Sequence, residues 1–357
     1  MAGRSAVSLG PACDGACVFC AQAGRAGSRS AGDVLRDLEA ARAAGDAVTF
    51  VGGEPGADPR VEELVGRARA LGFAHIGVQT NGWALAAEGR VAALAGAGLT
   101  DVHLSIHGPE ARVHDWHAGR AGAFDAALRT LTAARAASLD VVVATVLTRS
   151  SFRVLAPMPR MLASRGVRAW CIEVPRWRGR AAAASDRVVP RLALALPFAL
   201  HALDAALSLG LAAFVRGAPA CLLGPFASRA LDDPRSFGAP CEACAARPAC
   251  AGADPEYLAR FGDGELSARG PVDRAGSEAA ALFVGVGDVA PPVDAAAVLP
   301  SPGRARVALP VLGRPLPAKG EVAAGTAKRS GEALRAILPD LFEPESGETG
   351  RSEDQKE

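Results

Sequence analysis

Lysine is almost missing. Lys319, Lys328 and Lys356 are the only three, all within the last forty residues of the chain. No lysine is therefore available in the first three hundred positions for a GKS/GKT phosphate loop or a Schiff base. Kinase, ATPase and pyridoxal-enzyme readings fall away. Arginine carries the positive charge, the formal net charge is +1, and no basic stripe or acidic tail points to a nucleic-acid partner. The start, MAGRSAVSLGPAC, lacks the apolar run of a signal peptide, so a cytoplasmic location is expected. In that setting the eight cysteines are metal ligands plus an odd buried thiol rather than disulfides. One long apolar run, RLALALPFALHALDAALSLGLAAFV (191–215), contains Pro197, His201, Asp204 and Gly210. Such residues are costly in a membrane span, so the run is expected to be a buried helix and no membrane partner is expected.

Half of the 357 residues are apolar, enough for a large core and about two domains. Up to residue 215, short β-rich runs alternate with helical stretches. The runs are AVSL, AVTFVGG, HIGVQTNG, DVHLSIHG, DVVVATVLT and VRAWCIEVP. The stretches include AGDVLRDLEAARAAG, PRVEELVGRARALG and AFDAALRTLTAARAAS. Repeated strand–helix–strand units imply parallel strands with crossover helices, either doubly wound or barrel-like, with the active site at the carboxyl ends of the strands. Those ends carry Gly52-Gly53-Glu54-Pro55, Thr80-Asn81-Gly82 and Ser105-Ile106-His107-Gly108. In the fourth run Val102, Leu104 and Ile106 share one face, and His103, Ser105 and His107 the other. A polar inner stripe suits a ligand-holding barrel.

The chemistry starts in PACDGACVFCAQ (11–22). Cys13, Cys17 and Cys20 sit close together, with Phe19 just before the last. Thiolates bind zinc or iron–sulfur clusters. A closed zinc site needs four ligands, and no fourth is near. Three thiolates on a four-iron cluster leave one iron open.

This pattern, Cys13-x3-Cys17-x-Phe19-Cys20 followed by Gly52-Gly53-Glu54-Pro55 after the second strand, resembles the radical S-adenosylmethionine (SAM) superfamily over residues 1 to about 200. The resemblance implies a partial (β/α)6 TIM-like barrel and a [4Fe–4S] cluster on Cys13, Cys17 and Cys20 whose open iron binds SAM. It also implies an electron donor of flavodoxin or ferredoxin type. One electron from the cluster splits SAM to methionine and a 5′-deoxyadenosyl radical, which takes hydrogen from a substrate. The cofactor contacts it implies are Phe19, Gly52, Gly53, Glu54, Pro55, Asn81, Ser105, His107 and Thr145. Glu173 is a candidate substrate contact. Cys171 is expected to be a buried inert thiol, and Arg176, Arg178 and Arg180 to be solvated, the alternative being that one of them meets the SAM or substrate carboxylate. His114 and His117, in RVHDWHAG, are expected in a solvent-side loop or a cap, with metal ligation, which their spacing allows, as the alternative.

After residue 215 the pattern changes to a cysteine-rich stretch, Cys221 and then Cys241-x2-Cys244-x5-Cys250. It looks like the SPASM and twitch extensions of radical SAM enzymes. No cysteine follows Cys250, so two auxiliary clusters are excluded by counting. A second [4Fe–4S] cluster is the expectation, and a structural zinc knuckle the alternative. The expected organisation is a barrel over 1–215, an auxiliary-cluster region over 216–266, an irregular extension over 267–342 and a disordered tail over 343–357. Strands are expected at AALFVGVG and RARVALPVL, and a helix at GEALRAIL. No peptide-recognition or cobalamin domain is expected ahead of Cys13. The expected substrate is a peptide or protein, the alternative a small metabolite. A non-catalytic iron–sulfur or zinc-binding module is the remote alternative.

Overall fold

The computed structural model describes residues 4–283, apart from 26, 232–235 and 274–278. The strands are β1 (Ser5–Ser8), β2 (Ala47–Val51), β3 (His75–Thr80), β4 (Asp101–Ser105), β5 (Asp140–Val146), β6 (Ala169–Glu173), β7 (Ala212–Arg216) and β8 (Ala230–Leu231). They form one sheet in sequential order, every neighbouring pair parallel. The helices are α1 (Ala31–Ala44), α2 (Val61–Ala70), α3 (Arg90–Ala97), α4 (Ala111–Ala118), α5 (Ala123–Ala136), α6 (Met158–Ala163), α7 (Gly179–Ala183), α8 (Ser185–Val188), α9 (Leu192–Ser208) and α10 (Pro255–Phe261). The architecture is a curled, open TIM-like half-barrel. All six expected strands are present, and two further strands extend the sheet.

Local sequence explains the boundaries. Ser30 caps α1 by accepting the Asp33 N–H at 3.1 Å, satisfying one of the donors a helix start leaves open. The apolar run 191–215 is not one helix: α9 stops at Ser208, Gly210 turns the chain at φ +76°, and Ala212–Arg216 continues as β7. The first turn of α9 is closed from outside. Leu192 N–H donates to the Tyr257 hydroxyl at 2.7 Å, and Ala193 N–H to Glu265 at 3.3 Å. The cysteine-rich segment is thereby tied to the barrel.

Alternation sorts the faces. Val102, Leu104 and Ile106 are fully buried with Val141, Val143, Trp170, Ile172 and Val215 in the main core. The opposite, inner face carries His103, Ser105, Cys171, Phe214 and Arg216. At its amino-terminal end Arg4 is buried and forms a two-pronged ion pair with Asp101, at 2.8 and 3.1 Å, and also bonds Thr49 at 2.9 Å. His103 meets the same carboxylate at 2.7 Å. A second apolar cluster fills this face: Val142, Ala169, Cys171, Phe214 and Leu231, with Leu282 and Phe283. Ala280–Leu282, expected in a strand, is a short 3₁₀ turn. The remainder of the expected 267–342 extension beyond residue 283, with its strand and helix, lies outside the described residues, as does the expected tail.

Candidate active site and metal centres

The loop after β1 carries Cys13, Cys17, Phe19 and Cys20. It is held at both sides by backbone bonds. Ala16 and Val18 N–H donate to the Ala118 and His117 carbonyls at the end of α4, at 3.2 and 3.0 Å. Glu54 N–H donates to the Ala12 carbonyl at 2.8 Å, and Gly53 N–H to the Gln22 side chain at 2.9 Å. The loop is thus framed by the turn after β2 and the helix after β4.

The chemistry of the thiols fits a metal centre. Burial, and then the neighbouring Cys20 and Cys13, push the Cys17 thiol up to about 12. Burial raises Cys13 too, against a Gly15 N–H bond to its sulfur at 3.3 Å. Thiols crowded this way hold their protons until a cation takes their place. Gly15 lies beside both thiols: a Cβ there would lie 3.6 Å from Cys13 Sγ and 3.9 Å from Cys17 Sγ, in ordinary contact with each. The nearby carboxylates are engaged elsewhere. Asp14 accepts from Asn81 Nδ2 at 2.8 Å and pairs with Arg120 at 3.3 Å. Glu54 accepts from Gly56 N, Thr80 Oγ1 and Asn81 N at 2.8, 2.5 and 2.6 Å.

Glu54 is 3 % exposed, and burial raises it from 4.5 to about 7 although the three donors pull it down. Between these pH values the folded chain binds a proton that the unfolded chain has lost, so stability falls as pH rises through that window. The full effect is up to about 3 kcal/mol. Burial works oppositely on His114 and His117, lowering both to about 4, so their contribution grows as pH rises from about 4 to 6.5. Comparing Glu54→Gln with wild type isolates the carboxyl. Between pH 5 and 7.5 the apo protein's denaturation midpoint is expected to fall more steeply in wild type than in Glu54→Gln. Parallel pH curves would remove this role for Glu54.

Beyond the thiols lies a cleft lined by Gly15, Cys17, Asn81, Trp83, Ser105, His107, His114, Ala118, Arg120 and Ala123. Asn81 Oδ1 accepts from Trp83 N at 2.8 Å, which fixes its amide. Phe19 packs edge-on against His107 with ring centroids 4.6 Å apart, and His107 stacks on His114 at 5.5 Å. His114 and His117 are not in a solvent-side loop: both lie on α4 and are buried. His117 Nδ1 bonds Val113 O, and Nε2 the Thr148 hydroxyl, each at 2.7 Å.

Cys13, Cys17, Cys20, Phe19, Gly53, Glu54, Asn81, Ser105 and His107 are therefore gathered at the carboxyl ends of β1–β4. Gly52 and Pro55 flank that turn, and Pro55 opens a short 3₁₀ turn. Thr145 is not brought to them. It is fully buried on the helix-facing side, accepts from Trp170 Nε1 at 2.9 Å and donates to Ile106 O at 2.5 Å. Glu173 ends β6 on the inner face, paired with Arg216 at 2.7 Å and outside the cleft lining. Cys171 is buried, as expected. Arg180 is not simply solvated, for it bonds the cysteine loop. Sequence reasoning missed Trp83, Arg120 and Gly15. The Asn81–Trp83 turn was the available signal for Trp83.

The thiols of the second group influence one another. Burial raises Cys241, which in addition feels Cys221, Cys250 and Cys244. Cys250 Sγ accepts from Ala220 N and Gly252 N at 3.2 and 3.3 Å, and Cys244 Sγ from Arg269 N at 3.5 Å. Among the described residues, no three His, Cys, Asp or Glu side chains are drawn together tightly enough to hold one bare ion.

This fold and this site define a half-barrel with a three-thiol loop at its mouth. Residues 7–150 match the family model of the radical SAM superfamily. The chain is 29% identical over 142 residues to an AdoMet-dependent heme synthase of Nitratidesulfovibrio vulgaris, covering 40% of this chain and 38% of that protein. Its match to the same-named protein of Oleidesulfovibrio alaskensis is 28% identical over 142 residues, covering 40% and 36%. The chain thus spans well under half the length of these relatives. The crystal structure of Streptococcus suis SuiB bound to S-adenosylmethionine has a similar fold, with TM-score 0.51 and 17% identity over 59% of this chain and 50% of that one. Among the described residues, no helix is long and apolar enough to cross a membrane.

Proposed function

We propose that this chain is a radical SAM enzyme. The observation that carries the proposal is the three-thiol loop, Cys13, Cys17 and Cys20, whose neighbouring carboxylates are committed to other donors and which opens on the cleft lined by Asn81, Ser105 and His107. When bound, a [4Fe–4S] cluster and SAM supply one-electron reductive cleavage to methionine and a 5′-deoxyadenosyl radical, which takes hydrogen from the substrate. Cys13, Cys17 and Cys20 hold the cluster. Phe19 and His107 form an aromatic wall, and Asn81 and Ser105 offer polar contacts to SAM. Glu54 works from behind, holding the turns after β2 and β3 together. A flavodoxin- or ferredoxin-type donor supplies the electron, and the setting is the cytoplasm.

Cys221, Cys241, Cys244 and Cys250 hold a second [4Fe–4S] cluster in an auxiliary region over 216–266. The resemblance of Cys241-x2-Cys244-x5-Cys250 to auxiliary-cluster regions supports this reading, and a structural zinc knuckle on the same four thiols is the alternative. The substrate we propose is a peptide or protein. The auxiliary-region resemblance supports it, and SuiB has also been crystallised with its precursor peptide SuiA. The heme-synthase names of the matched relatives favour a small metabolite as the second reading. Glu173, at the inner end of β6, is the proposed substrate contact.

The test is anaerobic reconstitution followed by dithionite and SAM. About eight irons per chain and formation of 5′-deoxyadenosine are expected. A colourless zinc protein, or no SAM cleavage, overturns the proposal. Mass spectrometry of peptide and small-molecule fractions of cell extract, each incubated with reduced enzyme, separates the two substrate readings.

A further inference from the structure

The cysteine loop is gripped from the far side of the sheet. After β6 the chain returns across the barrel mouth, and residues 178–180 lie against the loop backbone. Arg180 N–H donates to the Cys20 carbonyl at 3.0 Å. Its guanidinium Nη1 donates to the Cys17 carbonyl at 3.3 Å. The approach is close: a Cβ on Gly179, at φ +55°, would lie 2.4 Å from Cys20 O. Arg178, two residues earlier, is exposed.

The charges around the loop are unevenly placed. On the Cys13 side stand the carboxylates of Asp14 and Glu54. Arg120 is on that side too, but Asp14 pairs with it at 3.3 Å. Arg180 stands beside Cys17, its guanidinium on the Cys17 carbonyl. An arginine stays protonated throughout the accessible pH range, so the charge is permanent. Partly removed from water, it acts at higher strength than a surface charge.

We propose that Arg180 is a positioning residue for the amino-terminal cluster: its two hydrogen bonds lock the Cys17–Cys20 turn, and its fixed positive charge raises the cluster's reduction potential. Reduction adds one negative charge to the centre, and a neighbouring cation stabilises the more negative state. The proposal rests on the radical SAM reading, and it adds a residue more than 150 positions downstream to the reactivity of the cysteine loop.

The test is an EPR-monitored redox titration of the reconstituted holoenzyme. The signal that changes on adding SAM identifies the amino-terminal cluster. Arg180→Gln is expected to shift its midpoint to more negative potential. At a fixed ambient potential the reduced-to-oxidised ratio is expected to fall about tenfold, which is about 59 mV for one electron. Arg180→Lys, which keeps the charge, is expected to stay near the wild-type midpoint, and Arg178→Gln to leave it unchanged. Should Arg180→Gln lose iron, Arg180→Lys decides: a midpoint near wild type supports the charge effect, and a strongly negative one overturns it. An unmoved midpoint in Arg180→Gln with iron retained, or an equal shift in Arg178→Gln, overturns the proposal. A wild-type protein with no reducible, SAM-sensitive signal instead overturns the enzyme reading beneath it.

Discussion

Replacing Cys17 by alanine is expected to strip iron from the amino-terminal site and to lower 5′-deoxyadenosine formation by at least about a hundredfold, beyond the loss typical of outer-shell partners. Cys17 is the middle ligand of the three and the one that faces the cleft. Two thiols cannot hold three irons of a four-iron centre, and Asp14 and Glu54, the acids near Cys13, are already engaged by Asn81, Arg120 and Thr80. The fold itself does not depend on the sulfur. The loop hangs on the backbone bonds of Ala16 and Val18 to α4 and of Glu54 to Ala12, and alanine keeps all of them. The apo variant's unfolding transition is therefore expected to match wild type, which separates loss of a ligand from loss of structure. Cys171→Ala is the control: its thiol is buried in the inner apolar cluster, away from both thiol groups, and iron content should stay at the wild-type value. Deoxyadenosine formed at the normal rate by Cys17→Ala would mean that the cluster is elsewhere.

The cysteine loop and the first six strands were legible because each rests on a local signal. Thiol spacing is explicit in the sequence, and β-rich runs bounded by glycine and polar residues mark strand ends. What escaped depends on pairing between distant segments. β7 was hidden because its apolar residues follow directly on those of α9, with only Gly210 between, and hydropathy alone does not divide such a run. β8 is two residues long, too short for any period. Thr145 shows a subtler failure. In DVVVATV the three consecutive valines, Val141 to Val143, break any alternation of polar and apolar residues, so the pattern does not say which face Thr145 shares. The pairing of Ser105 with Ala144 settles it: Ala144, not Thr145, lies on Ser105's side of the sheet. His114 and His117 were assigned to a loop because charged and polar neighbours surround them. They sit at i and i+3 on α4 and turn inward together, a helical spacing that was present in HDWH. Arg180 has no signal at all in sequence, since its contacts lie about 160 positions away.

Gly53→Ala is expected to be nearly as damaging as loss of a cysteine, although it removes no ligand. Gly53 has φ +54°, a conformation that costs a residue with a Cβ about 1–2 kcal/mol. The larger obstacle is steric. A Cβ at this position would lie 1.9 Å from the Ala12 carbonyl oxygen, 2.7 Å from its carbon and 2.8 Å from the Pro11 carbonyl carbon. All three are backbone atoms, so no rotamer change relieves the overlap. The chain must pull residues 11–12 away, break the Glu54 N–H bond to Ala12 O and displace Cys13, the next residue. The glycine-rich turn thus serves the loop before any cofactor arrives: the room left by the missing side chain is already filled by the backbone that carries the first ligand. Iron at the amino-terminal site is expected to fall below half of wild type, with deoxyadenosine formation down at least about tenfold, as for disturbed outer-shell support. Gly66→Ala gives the contrast. Gly66 lies inside α2, no atom beyond the helix lies within 4 Å of its would-be Cβ, and alanine there should raise stability by about 0.5–1 kcal/mol with iron content unchanged. If Gly53→Ala kept wild-type iron and activity, the backbone contact between this turn and the cysteine loop would not be what holds Cys13 in place.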